Sequence, residues 1–502
     1  MTFTDYLFEF SRQLEDSAVI FKRAYSYKEI YENVVSIACF LEKKGLSKKD
    51  AVLLVSENSM FFINNYFGII KSGAICVPIN PSLSDGQIQY ILEALNIKLV
   101  FCEKKFTKKI RNLVTEDVEI YTEEDKVYKP QLYVNICIED KSNDINIKED
   151  VAVILFTSGS TATPKGVMLT HYNLMYNTNS IIEYLNLTKE DRIEVVLPFY
   201  YCYGTSLLQT HFRVGGSLVI NNRFMFPQTV IDDINEYNCT GFAGVPSTYQ
   251  ILLRMTDIKN SKLPSLRYIT QAGGKLPEVF IKELVSILKG VDIFIMYGQT
   301  EATARLSYLP PNLINIKANS IGKGIPGTEL KVINKNGEAV KKDEIGEVVA
   351  RGGNIMKGYF NDEEETRKVI KNGYLYTGDL AKVDEEGYIY IVSREKNIIK
   401  SGGNRVSPKE IEDIIVKIPE VVECAVIGVE DDILGEAVKA FVVLKEENSL
   451  IDSKYIIKFC SKDLPLYKTP KHVEFLKQLP KNSSGKILIK KLKDFEEEKK
   501  EN

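Results

Sequence analysis

Between about residues 25 and 310, short apolar runs alternate with stretches of helical periodicity, and this alternation constrains the fold most strongly. The run AVLLVS (51–56) is typical of a strand, and FFINNYFGIIKSG (61–73) is typical of a helix that Gly73 terminates. Further strand-like runs each end in a loop: KLVFC (98–102), VAVILF (151–156), RIEVVLP (192–198), SLVI (217–220), GFAGVP (241–246), LRYITQAGG (266–274) and VDIFIMYG (291–298). Such repeated units predict α/β layers with mostly parallel sheets.

The pattern changes after about residue 320. GTELKVINKNGEAV indicates a strand, a turn at Asn336–Gly337 and a second strand, and small β segments follow. From residue 393 the pattern is that of a compact α+β unit, with helices over 407–418 and 453–464 and strands over 423–429 and 438–444. We therefore expect a large, multi-subdomain N-terminal α/β domain over 1–393 and a small α+β C-terminal domain over 394–502.

Composition excludes several classes of protein. The net charge of −3 leaves no basic surplus for a nucleic-acid surface. The first residues, MTFTDYLFEFSRQL, lack the basic and apolar regions of a signal peptide, and no run of eighteen apolar residues could cross a membrane. The eight cysteines are scattered without a C-x-x-C pair, which favours buried free thiols in a reduced compartment. We expect a cytoplasmic protein.

The three histidines argue against two further kinds of site. A His/Cys metal centre needs more of these ligands, and no G-x-S-x-G sequence accompanies the histidines to form a hydrolase triad. The histidines are His171, His211 and His472.

The loop TSGSTATPKG (157–166) follows the apolar run VAVILF. A strand that ends in a Gly/Ser/Thr loop and continues as a helix can bind an anion, because amide N–H groups, hydroxyls and a lysine converge there. The loop is not a Walker A motif, since Pro164 precedes Lys165 and Gly166 follows it. Taken alone, it is also compatible with an ordinary solvated Ser/Gly loop.

The loop stands in an ordered series of motifs that spans nearly the whole chain. The series is KSGAICVPINP (71–81), TSGSTATPKG (157–166), LPFYYCYG (197–204), QAGGKL (271–276), YGQTE (297–301), GEVVARGGNIMKGYFN (346–361), YTGDLAKVDEEGYIYIVSREKNIIKSGGNRVSPKEIE (376–412) and PKNSSGKI (480–487). This series resembles the AMP-forming acyl-activating superfamily, which includes acyl-CoA synthetases, peptide-synthetase adenylation domains and luciferases. Each motif alone is weak, whereas their order is specific.

The resemblance implies a ligase that works in two half-reactions. A carboxylate attacks the α-phosphorus of ATP to give acyl-AMP and pyrophosphate, and a phosphopantetheine thiol of CoA or of a carrier protein then takes the acyl group. Mg²⁺ accompanies the ATP. The first step needs charge neutralisation and in-line positioning more than a base, because a carboxylate is already ionised at pH 7.

The resemblance also assigns roles to charged residues. Lys486 would bridge the substrate carboxylate and the α-phosphate, and Asp379 would accept the ribose hydroxyls. Arg394 would contact the nucleotide. Lys396 falls at the hinge about which the small C-terminal domain, expected to be mobile, swivels between the half-reactions. Glu301 would hold Mg²⁺ together with the Thr157 hydroxyl, because oxygen ligands suit this ion.

The remaining nucleotide and thiol positions follow from the same motifs. In the loop, Gly159 would allow a close backbone approach to the β- and γ-phosphates. The loop donors would be Thr157, Ser158, Ser160, Thr161 and Lys165. Tyr297 would stack on adenine; the other positions expected around the nucleotide are Ala272, Gly273, Gly274, Gly298, Gln299 and Thr300. The thiol tunnel would be lined by Ser401, Gly402 and Gly403. Ala162 stands where the family pattern has glycine, so its effect on the loop stays open.

The acyl pocket departs from the family pattern, because Tyr201 stands where histidine is usual. Aromatic walls with hydroxyl tips can pack against an apolar acyl chain and still hydrogen-bond a polar group. The expected pocket residues are Tyr200, Tyr201, Tyr203, Gly244, Val245, Gln271 and Gln299. Residues 197–208 contain no acidic side chain that could pair with a substrate ammonium. This favours a non-amino carboxylic acid, aliphatic or aryl.

Three alternatives remain open. An amino-acid-activating ligase could load a separate carrier protein, since the chain is expected to end too soon after Lys486 to include a carrier domain. A non-catalytic nucleotide- or acyl-binding relative is disfavoured by the retained Lys165, Glu301, Asp379 and Lys486. A phosphotransferase would release ADP instead of AMP and pyrophosphate.

Overall fold

The computed structural model describes residues 1–46, 48–125, 127, 145–157, 164–394, 398–431, 433–446, 450–482 and 485–501. In chain order, the strands are β1 (Ser17–Phe21), β2 (Arg23–Ser26), β3 (Ala51–Val55), β4 (Ile75–Ile79), β5 (Leu99–Cys102), β6 (Glu119–Tyr121), β7 (Val151–Thr157), β8 (Lys165–Thr170), β9 (Arg192–Val195), β10 (Ser217–Ile220), β11 (Gly241–Gly244), β12 (Tyr268–Gln271), β13 (Asp292–Tyr297), β14 (Ser307–Leu309), β15 (Lys323–Gly324), β16 (Glu329–Ile333), β17 (Gly346–Arg351), β18 (Gly358–Tyr359), β19 (Ile370–Lys371), β20 (Tyr374–Val383), β21 (Ile389–Arg394), β22 (Ile399–Ser401), β23 (Asn404–Val406), β24 (Val421–Asp431), β25 (Gly435–Leu444) and β26 (His472–Phe475).

The helices lie between these strands and cover the sheets. In chain order they are α1 (Phe3–Leu7), α2 (Tyr27–Lys43), α3 (Met60–Ser72), α4 (Asp85–Ala94), α5 (Lys104–Arg111), α6 (His171–Leu185), α7 (Cys202–Val214), α8 (Gln228–Glu236), α9 (Pro246–Met255), α10 (Glu278–Ile287), α11 (Glu363–Val369), α12 (Pro408–Ile415), α13 (Ser453–Cys460) and α14 (Ile489–Glu501). None of the helices in the described ranges combines the length and apolarity that a bilayer crossing requires.

Two large sheets confirm the predicted α/β layering. The first has nine strands in the order β15-β14-β13-β12-β11-β9-β10-β1-β2, and its central pairs from β13 to β1 are parallel. The second has seven strands in the order β18-β8-β7-β4-β3-β5-β6. Strands β3, β4 and β5 are buried along their whole length, as expected for parallel strands covered on both faces.

The two smaller sheets are mainly antiparallel. One is built from β16, β17, β19, β20 and β21, and the other from β22 to β26. The fold class expected from the sequence, a large α/β part followed by a smaller α+β part, is confirmed. The strand VAVILF, the helix ended by Gly73 at φ +87° and the helix over 407–418 are all present, the last as the shorter α12.

One local expectation is wrong: the phosphate loop does not continue directly into a helix. Lys165 begins β8, which pairs antiparallel with β7 so that Thr157 lies opposite Lys165. Helix α6 begins later, with Thr170 as its N-cap. The physical reason is that Val167 and Leu169 alternate along β8 and are both buried, so this segment gains more as a strand paired with β7.

The cysteines differ from the expectation at one position. Cys39 is disulfide-bonded. Spacing along a chain does not show which thiols meet in space, so scattered cysteines could not exclude this bond. Six of the remaining cysteines are free: Cys76, Cys102, Cys202, Cys239, Cys424 and Cys460.

Candidate active site

Asp379 forms the centre of the predicted nucleotide site. It lies opposite Arg394 in the antiparallel pair β20–β21, and the Arg394 Nε donates to Asp379 Oδ1 at 2.9 Å. The Tyr297 hydroxyl, at the end of β13, donates to Asp379 Oδ2 at 2.7 Å. Asp379 is only 4% exposed. A carboxylate accepts at about four lone-pair positions, so the group can still accept two ribose hydroxyls.

The YGQTE segment turns back on itself and links the nucleotide region to the pocket motif. A Cβ at Gly298 would meet the carbonyl oxygen of Ala304 at 2.0 Å, so only glycine fits this close approach. Gln299 precedes a 3₁₀ turn over Thr300–Ala302. The Thr300 hydroxyl donates to Cys202 Sγ at 3.6 Å, which joins this turn to the start of α7.

The base of the phosphate loop is tied to Glu301 through Tyr359. The Tyr359 hydroxyl donates to Glu301 Oε1 at 2.9 Å, and Lys165 Nζ lies 5.2 Å from the centroid of the Tyr359 ring. Lys165 also forms an ion pair with Glu365 of α11. The hydrogen bond from Lys165, with help from Lys368, lowers the pKa of Glu365 to about 2. The phosphate-loop lysine is therefore held by a carboxylate.

Two oxygen-bearing side chains at the base of the phosphate loop are suitable ligands for Mg²⁺. Glu301 offers a carboxylate and Thr157 a hydroxyl, which are the hard ligands that this ion shares with substrate phosphates. Tyr359 connects Glu301 to Lys165, because its hydroxyl donates to Glu301 and its ring lies near the Lys165 ammonium. Thr157 lies opposite Lys165 in the hairpin of β7 and β8. The described residues include no cluster of three or more His, Cys, Asp or Glu side chains placed to hold a metal by themselves. A magnesium ion here would depend on phosphate oxygens.

The turn expected to contact adenine packs against the beginning of α9. Gly273 has φ +87°, and a Cβ there would meet Val245 Cγ1 at 3.1 Å. Ala272 is buried. Gln271 Nε2 donates to the carbonyl oxygen of Gly274 at 2.8 Å, while its Oε1 is buried and has no partner among the described residues. The Gln271 Oε1 atom can therefore accept a hydrogen bond from a bound molecule.

Two tyrosines meet at one carbonyl in the region of the predicted pocket. The hydroxyls of Tyr203 and Tyr249 both donate to the carbonyl oxygen of Thr270, at 2.9 Å and 2.7 Å. The Arg305 guanidinium lies 4.5 Å from the Tyr203 ring centroid. A Cβ at Gly244 would meet Tyr249 Cε2 at 3.0 Å, so the strand end and the ring are in close contact.

Sequence reasoning missed Tyr249, Thr270 and Arg305 because only the fold brings them to Tyr203. Tyr200 and Tyr201 come before Tyr203 in the pocket motif; their ring centroids are 5.0 Å apart, and Tyr201 is the N-cap of α7. A cavity lies on another face of α7, lined by Tyr66, Val153, Leu155, Leu169, Leu174, Cys202, Thr205, Gln209 and Thr303.

Lys486 lies on a turn of the C-terminal part that docks beside this pocket. Its N–H donates to Asn482 Oδ1 at 2.9 Å, and the preceding Gly485 has φ +80°. The Ser247 hydroxyl donates to the Gly485 carbonyl at 2.7 Å. A Cβ at Gly485 would meet Val245 Cγ2 at 3.0 Å, so glycine allows this close docking.

The charge of Lys486 interacts electrostatically with the nucleotide site. The residue is exposed, but the walls of the cleft remove water from the ammonium and lower its pKa; Arg394 lowers it further and Asp379 opposes the shift. The fold thus joins three predicted residues, Tyr297, Asp379 and Arg394, by hydrogen bonds, and Lys486 lies within electrostatic range of Asp379 and Arg394.

The predicted thiol-tunnel residues lie elsewhere. Ser401 pairs with Asn404 in the hairpin of β22 and β23, and the Gly402 N–H donates to the Leu434 carbonyl at 2.9 Å. Gly402 and Gly403 are exposed and have φ of +55° and +77°. These contacts are within the small sheet, so the tunnel role stays a prediction. Five expected site residues lie outside the described residues: Ser158, Gly159, Ser160, Thr161 and Lys396; so does Ala162.

Family models match both parts of the chain. One, described as AMP-binding enzyme, covers residues 9–360, and a second, described as AMP-binding enzyme C-terminal domain, covers 410–486. The chain belongs to the AMP-binding enzyme family. The resemblance of the motif series to adenylate-forming enzymes is thereby confirmed.

Individual relatives agree with this assignment. The chain is 30% identical to a long-chain-fatty-acid–CoA ligase of Bacillus subtilis, covering 94% of this chain and 90% of that protein. It is also 30% identical to a 2-succinylbenzoate–CoA ligase of Bacillus cereus, covering 94% of each.

Solved structures match along the whole chain. An anthranilate CoA ligase in complex with anthranoyl-AMP superposes with a TM-score of 0.89 at 26% identity, covering 100% of this chain and 98% of that one. An o-succinylbenzoate coenzyme A synthetase from Bacillus subtilis, in complex with ATP and magnesium ion, gives 0.83 at 27% identity and covers 98% and 99%. The chain is an AMP-forming acid–thiol ligase.

Proposed function

We propose that this protein activates a non-amino carboxylic acid, aliphatic or aryl, and transfers the acyl group to the thiol of CoA. In the first step a substrate carboxylate oxygen bonds to the α-phosphorus of ATP while the bond to the β-phosphate oxygen breaks, and pyrophosphate leaves. In the second, the thiolate sulfur bonds to the acyl carbon, AMP leaves with its electron pair, and the thiol proton passes to solvent.

The docked turn of Lys486 supports this proposal most directly. Its ammonium is within electrostatic range of Asp379 and Arg394, and we propose that it neutralises charge on the attacking carboxylate and on the α-phosphate. Asp379 would bind the ribose, with Arg394 and Tyr297 holding its carboxylate in place. Mg²⁺, when bound through Glu301 and Thr157, would supply charge neutralisation on the phosphates.

The residues of the predicted pocket support a non-amino acid as the substrate. No acidic side chain lies in 197–208 to pair with a substrate ammonium, and burying an unpaired ammonium there would be costly. The wall formed by Tyr200, Tyr201 and Tyr203 is aromatic, and Gln271 offers one unused acceptor. The relatives are named for a fatty acid and for 2-succinylbenzoate, and their names specify CoA as acceptor.

Exchange of labelled pyrophosphate into ATP, measured with a panel of acids, tests the first half-reaction. We expect exchange with at least one non-amino acid and little with α-amino acids of similar size. Exchange that required an α-amino acid would favour the amino-acid-activating alternative, and no exchange with any acid would refute the enzyme assignment. Product formation with CoA, compared with a purified phosphopantetheine carrier protein, identifies the acceptor.

Two further proposals concern the domain boundary and the cellular location. We place the boundary between the large and small domains at residues 393–394, where β21 ends. We also propose a cytoplasmic location, supported by six free cysteines and by a reaction that consumes ATP and CoA; the disulfide at Cys39 counts against it. Fractionation of the native host with a compartment marker would decide the location.

A further inference from the structure

We infer that Lys275 and Asp413 form a positioning pair, which holds the small C-terminal domain in the orientation that presents Lys486 for adenylation. This inference rests on the proposed function. Lys275 immediately follows the adenine turn, and Asp413 lies on α12 of the small domain. The pair would therefore couple the nucleotide-binding turn to the docking of the domain that carries the adenylation lysine.

The pair spans the two parts of the chain at close range. Lys275 Nζ lies 2.5 Å from Asp413 Oδ2, and each side chain is 26% exposed. Water screens a pair of this exposure only partly, so the contact contributes more than an ion pair on an open surface.

A second docking point makes the ion pair a determinant of orientation. The Ser247 hydroxyl holds the Gly485 carbonyl, and Val245 packs under the same glycine. One contact would fix a point and allow rotation about it, whereas two separate contacts fix a direction. Lys486 directly follows the docked Gly485, so its placement depends on this docking.

Neighbouring charges are already engaged, so they do not replace either partner. On α12, Lys409 pairs with Glu412 at 2.5 Å. On the large domain, Glu278 pairs with Lys282 at 2.6 Å. Each of these two ion pairs lies within one domain, whereas the Lys275–Asp413 contact crosses between domains.

The test compares the two half-reactions in Lys275→Met, Asp413→Asn and the charge-swapped double variant Lys275→Asp/Asp413→Lys. Removing the pair should lower acid-dependent pyrophosphate exchange by about three- to tenfold, in line with the strength of partly buried ion pairs. Transfer from supplied acyl-AMP to CoA should stay unchanged or rise, because that step uses another orientation. The swap should restore exchange to within about twofold of wild type.

Lys98→Met is the matched control, since it breaks the Lys98–Asp117 pair inside the large domain and leaves the charges around Lys275 unchanged; its exchange rate should not change. Equal losses in both half-reactions, unchanged exchange in the single variants, or a swap that does not restore exchange would each overturn the inference. Wild-type protein that exchanges with no acid would instead refute the proposed function. Intact acyl transfer in a variant shows that it is folded.

Discussion

At the scale of single residues, Lys486 separates the two half-reactions. Lys486→Ala should lower pyrophosphate exchange by about two orders of magnitude or more, because it removes the positive charge facing Asp379 and Arg394. Thioester formation from supplied acyl-AMP should survive. Because the cleft lowers the pKa of Lys486, adenylation should also decline on the alkaline side before an ordinary lysine would lose its proton.

Lys490→Ala is the control for this experiment, because Lys490 is exposed at the start of α14 and only four residues away. It should leave both half-reactions unchanged. If Lys486→Ala reduced both steps to the same extent, its role in the first step alone would be wrong.

Glu365 provides a second residue-scale prediction. Its carboxylate holds Lys165, so ATP phosphates must compete with it for the lysine. Glu365→Gln removes that competitor and should lower the KM for ATP by about two- to fivefold, the range expected from an ion pair of roughly 0.5–1 kcal/mol. Steady-state kinetics with varied ATP measures this.

Glu364→Gln is the matched substitution one position earlier, where the carboxylate pairs with Lys368 instead. Its KM for ATP should remain that of the wild type. A KM that rises in Glu365→Gln would mean that Glu365 orients Lys165 toward the phosphates and does not compete with them.

These residues show what the sequence could and could not predict of the site. Asp379, Arg394 and Tyr297 stand in motifs, and the structure brings them together. The contacts of Glu365 with Lys165 and of Asp413 with Lys275 carry no local signal, because the partners lie 200 and 138 positions apart. A contact of this kind depends on how sheets and domains pack, which periodicity along the chain does not record.

At the scale of elements, β9 carries a buried acid inside the nine-stranded sheet. Both carboxyl oxygens of Glu194 are buried and form no hydrogen bond of good geometry among the described residues, although the Asn221 side chain is close enough to stabilise the charged form in part. Burial, with the nearby charge of Asp233, raises the pKa of Glu194 well above its ordinary value. The folded state therefore keeps a proton that the unfolded chain releases at about pH 4.5, so Glu194 lowers the free energy of unfolding as pH rises above that value.

Glu194→Gln should remove this dependence. The variant should gain stability relative to wild type as pH increases from about 5 to 8, with a slope of up to about 1.4 kcal/mol per pH unit. Urea unfolding at several pH values measures the difference. Asp232→Asn, an exposed substitution on the adjacent α8, should show no such trend; a flat difference for Glu194→Gln would mean that the acid is ionised in the folded state.

Pairing between strands also explains why the segment after the phosphate loop is a strand, β8, and not the expected helix. VAVILF was correctly predicted as a strand, but the segment after the loop was expected to continue as a helix. Strand and helix cannot be separated in a run this short by periodicity alone, and pairing with β7 decides the outcome. The loop therefore closes a hairpin, which places Lys165 opposite Thr157 and close to Tyr359.

At the scale of the whole molecule, two buried neutral histidines join distant parts of the large domain. His171 Nδ1 accepts from the Phe3 N–H at 3.0 Å, linking α6 to α1. His211 Nδ1 faces the Leu207 carbonyl at 2.9 Å and so carries its proton, which leaves Nε2 to accept from the Tyr268 hydroxyl at 3.2 Å. Burial lowers the pKa of each histidine to about 4.

The unfolded chain binds these protons near pH 6.5 and the folded chain only near pH 4, so the stability they support is complete above pH 6.5 and falls as pH drops toward 4. Each histidine accounts for at most about 3 kcal/mol of that loss. His171→Asn with His211→Gln keeps an acceptor at both positions and should flatten unfolding midpoints between about pH 6.5 and 4.5. His472→Asn, at an exposed site, should retain the wild-type profile, and an equally steep profile in the double variant would place the acid sensitivity in other groups.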